Sequence, residues 1–536
     1  MLVAAAILFS AHAKLYRRVP LEKPPEELAG RAREILKSFG YSELPVDTAI
    51  GFYEGKEFLR YITEHDTSMT RWDNLETGAF VFWYRGSPRP LASNNSSKDS
   101  PMLGTVWTDD LPLDVSGMTL LELNPLGRLT HFVEVPPQVE KSVGAAPTID
   151  WTPLFSAAGL DPSKWPAAQP MWNPPIESDA RAAWTGLLAE RPDIPMRIEA
   201  AAYRGKPVYF ELIGPWTHPQ RMQPYQPTTG EQVAGVVGLI LMLSMLVGGV
   251  LLARRNLRLG RGDRRGAGHI AGFVFAVWAV AWSFGAHHVS NVDEFGQVFM
   301  FVIFGISFSA FFWVVYIALE PYVRRRWPDT LVSWSRLLAG GFRDPLVGRD
   351  VLFGCLLGPF AIASVRLGWH IPSWPGHPPL QPYSGPQWQF LGARTVIADL
   401  SNSLILSLFI SFVILFTLFL LRALLRKEWV AAIVCILLIT FFRPPSADPF
   451  TAVTVVSVLI TTGLTVFLFL RFGLLAVVAS YFFTDILGSF PLTTQGSAWY
   501  AGLSLAGILL MAAMAFYGFY TSLGGRPIFG GAVLEE

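Results

Sequence analysis

Residues able to do chemistry are few in this chain, and the densest group is His287, His288, Asp293 and Glu294, all within one short segment. Two imidazoles and two carboxylates make a ligand set suited to Zn or a similar ion. Adjacent histidines on a helix point about 100° apart, so both can serve one ion only where the helix has ended. The four are therefore weak metal candidates, and the plainer expectation is an interfacial polar cap with an imidazole pair that responds to pH. A second group consists of charges inside long apolar runs: Arg366, Asp399 and Asp485. A charge buried in lipid is costly unless paired or hydrated. Arg366 lies toward the outer end of one run and Asp399 at the outer start of the next, so the two are expected at similar depth and form a candidate intramembrane ion pair. A proton or ion relay would need more such groups spread over several helices.

Other patterns carry less. Glu26-Glu27-Leu28-Ala29-Gly30-Arg31 fits the E-E-x-x-x-R motif of intramembrane CAAX-type proteases. It opens an amphipathic helix of a polar region here, without the neighbouring histidine motifs, so a solvated charged face is expected. Gly260-Arg261-Gly262 follows no strand and has the wrong spacing for a nucleotide loop. H-E-x-x-H, P-loop, G-x-S-x-G, D-F-G and H-R-D motifs do not occur. No catalytic or cofactor-binding residue is assigned and no cofactor is expected. The two cysteines, Cys355 and Cys435, both fall in apolar runs, which predicts buried thiols and a disulfide-free polar region.

The elements that would position these residues divide the chain sharply. With 536 residues, 51% of them hydrophobic, and a mean hydropathy of +0.37, the chain is too apolar for an ordinary soluble protein. The excess starts after about residue 230. Apolar runs near 232–253, 268–286, 297–319, 351–369, 397–421, 429–443, 451–470, 473–489 and 499–520 predict about nine transmembrane helices, the sixth and eighth being the shortest. Before them, residues 14–230 read as a polar α+β domain; 231–526 form the polytopic helical domain and 527–536 a tail.

Arginine distribution orients the whole. The loop after the first run holds Arg254, Arg255, Arg258, Arg261, Arg264 and Arg265, and the loop after the third holds Arg324, Arg325, Arg326, Arg336, Arg343 and Arg349. Lys and Arg near helix ends stay on the cytoplasmic side. Arg422, Arg426, Lys427, Arg471 and Arg526 continue the series there, while the intervening loops carry Asp293, Glu294, a Pro/Trp-rich stretch at 371–390 and Arg443. Residues 14–230 are thus expected outside and the C-terminus in the cytoplasm of a plasma membrane. A net charge of +1 with clustered arginines does not suit nucleic acid; membrane lipid is the partner read directly. Pro328 to Gly341, with Leu331, Trp334, Leu337 and Leu338 on one face and Arg336 opposite, predicts an interfacial helix lying on the cytoplasmic leaflet, beside arginines open to anionic lipid or to a cytoplasmic signalling partner. Residues 1–13 are too short to span. They fit either a signal segment ending at Ala11-His12-Ala13 or the outer half of a transmembrane helix, and the missing positive n-region favours the second.

Within the polar domain, a helix is expected from Pro24 to about Phe39, with Leu28, Ala32, Ile35, Leu36 and Phe39 inward and Gly40 as its stop. Gly78 to Tyr84 reads as a strand. Thr119 to Leu123 with Leu129 to Val135, and Met196 to Tyr203 with Pro207 to Ile213, read as hairpins. Trp151 to Leu160 and Ser178 to Glu190 show helical spacing. The ligand of this domain is not readable.

The phrases LYRRVPLEKPPEELAGRAREILKSFGY, AAYRGKPVYFELIGPWTHPQRMQP and RRRWPDTLVSWSRLLAGGFRDPLVGRDVL resemble the exported and polytopic region of certain multipass bacterial serine/threonine protein kinases. The resemblance implies a bacterial inner membrane location, a role in signal transduction and a kinase domain as partner. This chain contains no kinase motif, so it implies phosphotransfer only where an N-terminal kinase domain is supplied. The expectation is a sensory or scaffold module without catalytic residues; the alternative is a transporter or membrane enzyme using Arg366, Asp399, Asp485 and the His287/His288 loop.

Overall fold

Two kinds of periodicity build two kinds of structure, joined at residue 228. The computed structural model describes residues 14–526 except 77, 96, 98–99, 101, 140–146, 223–226, 371–377, 383–386 and 442–451, together with the backbone only of 365–370 and 452–454. The segment 1–13, the tail 527–536 and Arg443 lie outside the described residues.

Ahead of residue 228 stands one eight-stranded sheet, antiparallel throughout, in the order β1-β2-β3-β4-β8-β7-β6-β5. Its strands are β1 (Asp47–Glu54), β2 (Phe80–Ser87), β3 (Thr119–Leu123), β4 (Leu129–Glu134), β5 (Ala167–Ala168), β6 (Ala180–Leu187), β7 (Pro195–Tyr203) and β8 (Lys206–Ile213). Both expected hairpins form. Asn124 Oδ1 accepts from the backbone of Leu126 and Arg128 in the first turn, and Arg204 and Gly205 at φ +52° and +76° supply the left-handed pair that a two-residue hairpin requires. Side chains alternate across a strand, so Phe52, Phe82, Leu121, Phe132, Ile198 and Phe210 line one face. Helices α1 (Pro25–Ser38), α2 (Lys56–His65) and α3 (Thr152–Ala158) supply Leu28, Leu59 and Phe155 to the core on that face. As expected for a solvated face, Glu26 and Glu27 are exposed at the start of α1, and Lys23 pairs with Glu27.

One expected helix is a strand. Ser178 to Glu190 contains β6, paired with β7 from Ala180 opposite Ala202 to Leu187 opposite Pro195. Ala180, Ala182, Trp184 and Gly186 follow a two-residue period that competes with the helical stripe, with Arg181, Thr185 and Leu187 exposed on the other face, and β7 offers this period a hydrogen-bond ladder along its whole length. β1 and α2 went unread, because the polar residues around them mask their short apolar faces.

The second part begins with α4 (Thr229–Arg258), opened by a capping box between Thr228 and Glu231. It continues through α5 (Arg264–Gly285), α6 (Asp293–Arg326), the short α7 (Val332–Leu338), α8 (Pro345–His370), α9 (Ala393–Leu425), α10 (Glu428–Phe441), α11 (Ala452–Phe472), α12 (Leu474–Ser489) and α13 (Ala501–Ser522). Seven of these are long and apolar enough to cross a membrane; α10 and α12, at 14 and 16 residues, are shorter. Among the described residues, therefore, seven candidate spans stand where about nine were expected. Cys355 and Cys435 are buried and free.

The expected interfacial helix is instead tucked into the bundle. A 3-10 turn at Pro328–Leu331 leads into α7, and Leu331 and Trp334 are buried in the helical core. Gly473 permits this insertion: at φ +94° it packs so tightly that a Cβ would sit 2.1 Å from the Thr330 carbonyl oxygen. Burying the Leu/Trp face against protein removes the reason for it to lie on lipid.

Candidate functional site at the junction of sheet and helices

Helix ends and loops sort into two sets. One set meets the sheet domain. Lys14 Nζ donates to the carbonyls of Gly488 at 2.9 Å and Phe490 at 3.0 Å, Tyr16 donates to Leu492 O at 2.9 Å, and Trp499 Nε1 donates to Leu21 O at 3.0 Å. Phe390, just ahead of α9, packs its ring against Tyr16, Phe52, Phe80 and Tyr500, so sheet and helix ends share one core. The other set joins the arginine-bearing ends: Asn256 donates to Ile317 O at 2.9 Å, Trp327 to Glu428 at 3.2 Å, and Tyr517 to Phe342 O at 2.6 Å.

The expected metal candidates lie in the first set and are drawn apart. His287 Nε2 is 2.9 Å from Asp47 Oδ2 at the start of β1, and its backbone N–H donates to Gly104 O at 2.7 Å. His288 turns the other way, with Nδ1 2.7 Å from Glu294 Oε1 and its ring edge-on to Trp282. Asp293 bonds Asn291. The helix does end at Gly285, yet the freed backbone sends one imidazole to the sheet and keeps the other on the helices. Among the described residues no three His, Cys, Asp or Glu side chains gather as a metal site. What His287 provides is a polar latch between β1 and the end of α5.

The two carboxylates inside the bundle have separate hydrogen-bond partners. Asp399 on α9 accepts from Gln389 Nε2 at 2.5 Å, Asp485 on α12 accepts from Ser403 and, at 3.3 Å, from Ser489, and the two are close enough for their charges to interact. Ser407 and Ser411 extend the hydroxyl row down α9, each bonding the carbonyl four residues back. The Arg366 side chain lies outside the described residues, and the expected Arg366–Asp399 pair with it.

A further polar row, missed in the sequence, crosses the second face of the sheet. Glu122, His131, Glu211 and Glu199 stand in successive register on β3, β4, β8 and β7. Tyr53 donates to Glu122 at 2.9 Å and Tyr209 to Glu211; Arg197 pairs with Glu199 at 2.6 Å. Burial disfavours a charged His131, but its bond to Glu122 and the charges of Glu122 and Glu211 outweigh that and raise its pKa. Burial first, and then Glu122 for Tyr53 and Glu211 for Tyr209, push the two phenols up. The signal was there as polar residues breaking apolar strands, yet only the register places them side by side. Over β1, β2 and β3 this face is covered by the loop after β2, whose Leu91, Val106, Trp107 and Leu111 pack on Ala49, Trp83 and Leu120; buried Arg85 clamps the loop by donating to Trp107 O at 2.9 Å and Leu111 O at 2.7 Å.

Glu134, at the end of β4, gives the domain a pH dependence. Burial pushes its carboxyl up to about 7, against weaker opposing effects of Tyr41 and Lys206. The Tyr41 hydroxyl lies 3.0 Å from Glu134 Oε2 and 2.7 Å from Pro207 O. One phenolic proton serves both when it goes to Pro207 and a protonated Glu134 donates to the phenol. The folded state thus binds a proton that the unfolded chain releases near pH 4.5, so stability falls as pH rises from about 4.5 to 7 and is level above. Glu134→Gln is expected to remove about 3 kcal/mol of that dependence and to unfold at a higher temperature than the parent at pH 8. Because His131 titrates in the same sense, the difference between variant and parent is the quantity to measure, by thermal unfolding at pH 5 and pH 8. Equal slopes for the two proteins would contradict the assignment.

The chain matches none of the known protein families, none of the curated proteins and none of the solved structures it was compared with.

Proposed function

We propose that this chain is an integral membrane sensory or scaffold module, with the sheet domain on the outer face of a plasma membrane and the arginine-bearing ends in the cytoplasm. The carrying observation is the shared core at the junction, where Phe390 and Tyr500 pack among sheet residues. A ligand-driven change in the sheet would reach the ends of α5, α9, α12 and α13 through contacts without a flexible linker. Orientation rests on the arginines: those of the α4–α5 turn and of the end of α6 belong to the set of ends that does not meet the sheet, as retention of guanidinium groups in the cytoplasm demands. In this reading α10 and α12 also cross, as short helices, and bring the spans to nine. The half-buried row around Glu122, His131 and Glu211 is the face on which a ligand would be read. Association with a serine/threonine kinase is part of the proposal, supported by the resemblance of the sequence phrases alone.

Cysteine labelling tests the orientation, since both native thiols are buried. In intact cells a membrane-impermeant maleimide is expected to label Ser163→Cys at once and Arg261→Cys only after permeabilisation; both positions are exposed. The reverse pattern would overturn the proposal, as would phosphorylation of a substrate by the purified chain alone. The second reading, a transporter, is favoured by two carboxylates, Asp399 and Asp485, lying close enough inside the bundle for their charges to interact. It requires a substrate flux that Asp399→Asn and Asp485→Asn abolish, whereas the sensory reading has no flux to lose.

A further inference from the structure

From the geometry of the arginine-bearing end we infer a binding site for the phosphate of an anionic phospholipid between α6 and α9, formed by Arg326 and Arg422. The inference needs the membrane setting proposed above but not the sensory role.

Tyr322 on α6 and Phe419 on α9 bring the two helices into ring contact, with centroids 5.5 Å apart. Arg326 stands one helical turn beyond Tyr322 and Arg422 one turn beyond Phe419, so both belong to the facing sides of these helices. Among the described residues neither has a carboxylate partner, and Arg422 Nη1 is enclosed without any hydrogen-bond acceptor. Two guanidinium groups without a counter-charge repel each other, and an enclosed N–H without an acceptor is costly.

Among the described residues, the acidic groups at this end other than Asp329 are committed elsewhere. Glu320 pairs with Arg324 at 2.9 Å, Asp344 with Arg336 at 2.7 Å and Asp350 with Arg349 at 2.9 Å. Asp263 caps α5 through the N–H of Gly266 at 2.8 Å, Glu428 accepts from Trp327, and Asp329 faces solvent. What is missing is an anion with several acceptor oxygens. A phosphodiester fits, because the planar fork of arginine grips two of its oxygens at once. The choice of residue agrees: after Lys206 the chain contains one lysine, Lys427, while arginines recur at this end. The flanking side chains select lipid over a soluble anion. Leu424, Leu425 and Trp429 are exposed beside the site and offer acyl chains an apolar surface.

The test uses the full-length chain in nanodiscs. Its thermal unfolding midpoint is compared in phosphatidylcholine alone, in phosphatidylcholine with phosphatidylglycerol, and in phosphatidylcholine with inorganic phosphate in solution. Phosphatidylglycerol is expected to raise the midpoint by about 3 °C and inorganic phosphate to leave it unchanged. Arg326→Gln and Arg422→Gln should each lose most of the increment, and Arg422→Lys, which keeps the charge without the fork, should retain part of it. Should Arg422→Gln fail to fold, Arg326→Gln and Arg422→Lys carry the test. Equal midpoints in the two lipids would overturn the site, and so would an increment that survives both substitutions. A full shift with inorganic phosphate would make the occupant a soluble anion and overturn the lipid assignment. An equal loss in Arg254→Gln with Arg255→Gln would reduce the effect to diffuse attraction and overturn it too.

Discussion

Gly354→Val is expected to destabilise the helical domain by about 3 kcal/mol or more, enough to prevent accumulation of the folded protein. A Cβ at Gly354 would lie 2.6 Å from the Ala479 methyl, 2.7 Å from the Ala476 carbonyl oxygen and 2.8 Å from the Ser480 nitrogen, so the obstacle is the backbone of α12. One α8 turn further on, a Cβ at Gly358 would lie 3.0 Å from Ser480 O; one at Gly348 would lie 2.5 Å from Ser522 N and one at Gly518 2.9 Å from Leu352 N, so α8 comes equally close to α13. In lipid, where apolar side chains gain nothing by leaving one hydrocarbon for another, such backbone approach is the main source of helix association. Valine would force α8 and α12 apart along their length and forfeit those contacts. The matched control is Gly272→Ala on α5, which meets nothing within 4 Å and should be neutral or slightly stabilising through helix propensity. Folded yield and thermal unfolding in detergent read both. A Gly354→Val protein that melts with the parent would refute the packing argument.

Lys14→Met should cost about 3 kcal/mol and loosen the sheet domain from the helices. The Lys14 side chain is wholly buried, and its ammonium donates to Gly488 O and Phe490 O, carbonyls that the end of α12 leaves without intrahelical partners. The ammonium also sits at the negative end of the helix dipole. Methionine keeps the volume of the side chain and strips away the charge and both donors. Limited proteolysis should then cut the segment between Lys14 and Pro24 many times faster than in the parent. Tyr16→Phe, which removes the single bond to Leu492 O, should cost about 1 kcal/mol. Unchanged cleavage in Lys14→Met would mean that the aromatic packing around Phe390 holds the junction alone.

What could be read along the chain was whatever depends on near neighbours. The helix from Pro24 carries its start, stripe and stop within itself, and it forms as α1 with Leu28, Ala32, Ile35 and Leu36 inward. The apolar runs became helices at their expected places because length and composition suffice for a backbone that satisfies its own hydrogen bonds. Ser178 to Glu190 failed because Ala180, Ala182, Trp184 and Gly186 offer a two-residue period beside the helical one, and the decision lay with β7, a different stretch of chain. The Leu331/Trp334 face was legible as apolar, but what covers it was not: Gly473 lies far along the chain, and only folding brings it onto Thr330.

The candidate site divides in the same way. His287, His288, Asp293 and Glu294 were found by type and proximity in sequence, yet their separation follows from Asp47, far away at the start of β1. Asp399 and Asp485 were each visible as a charge in an apolar run, and their approach required α9 and α12 to pack. The row through Glu122, His131, Glu211 and Glu199 exists only in the register of four strands.

By itself, the order of amino acids determined that this protein has a polar α+β part followed by apolar helices, and which helix ends carry arginine, because charge, length and periodicity act locally. The tertiary structure alone decided which of those ends meet the sheet, which polar groups face one another and where α7 hides its apolar face. Those outcomes depend on contacts between residues hundreds of positions apart, such as Lys14 with Gly488, and no local pattern records them.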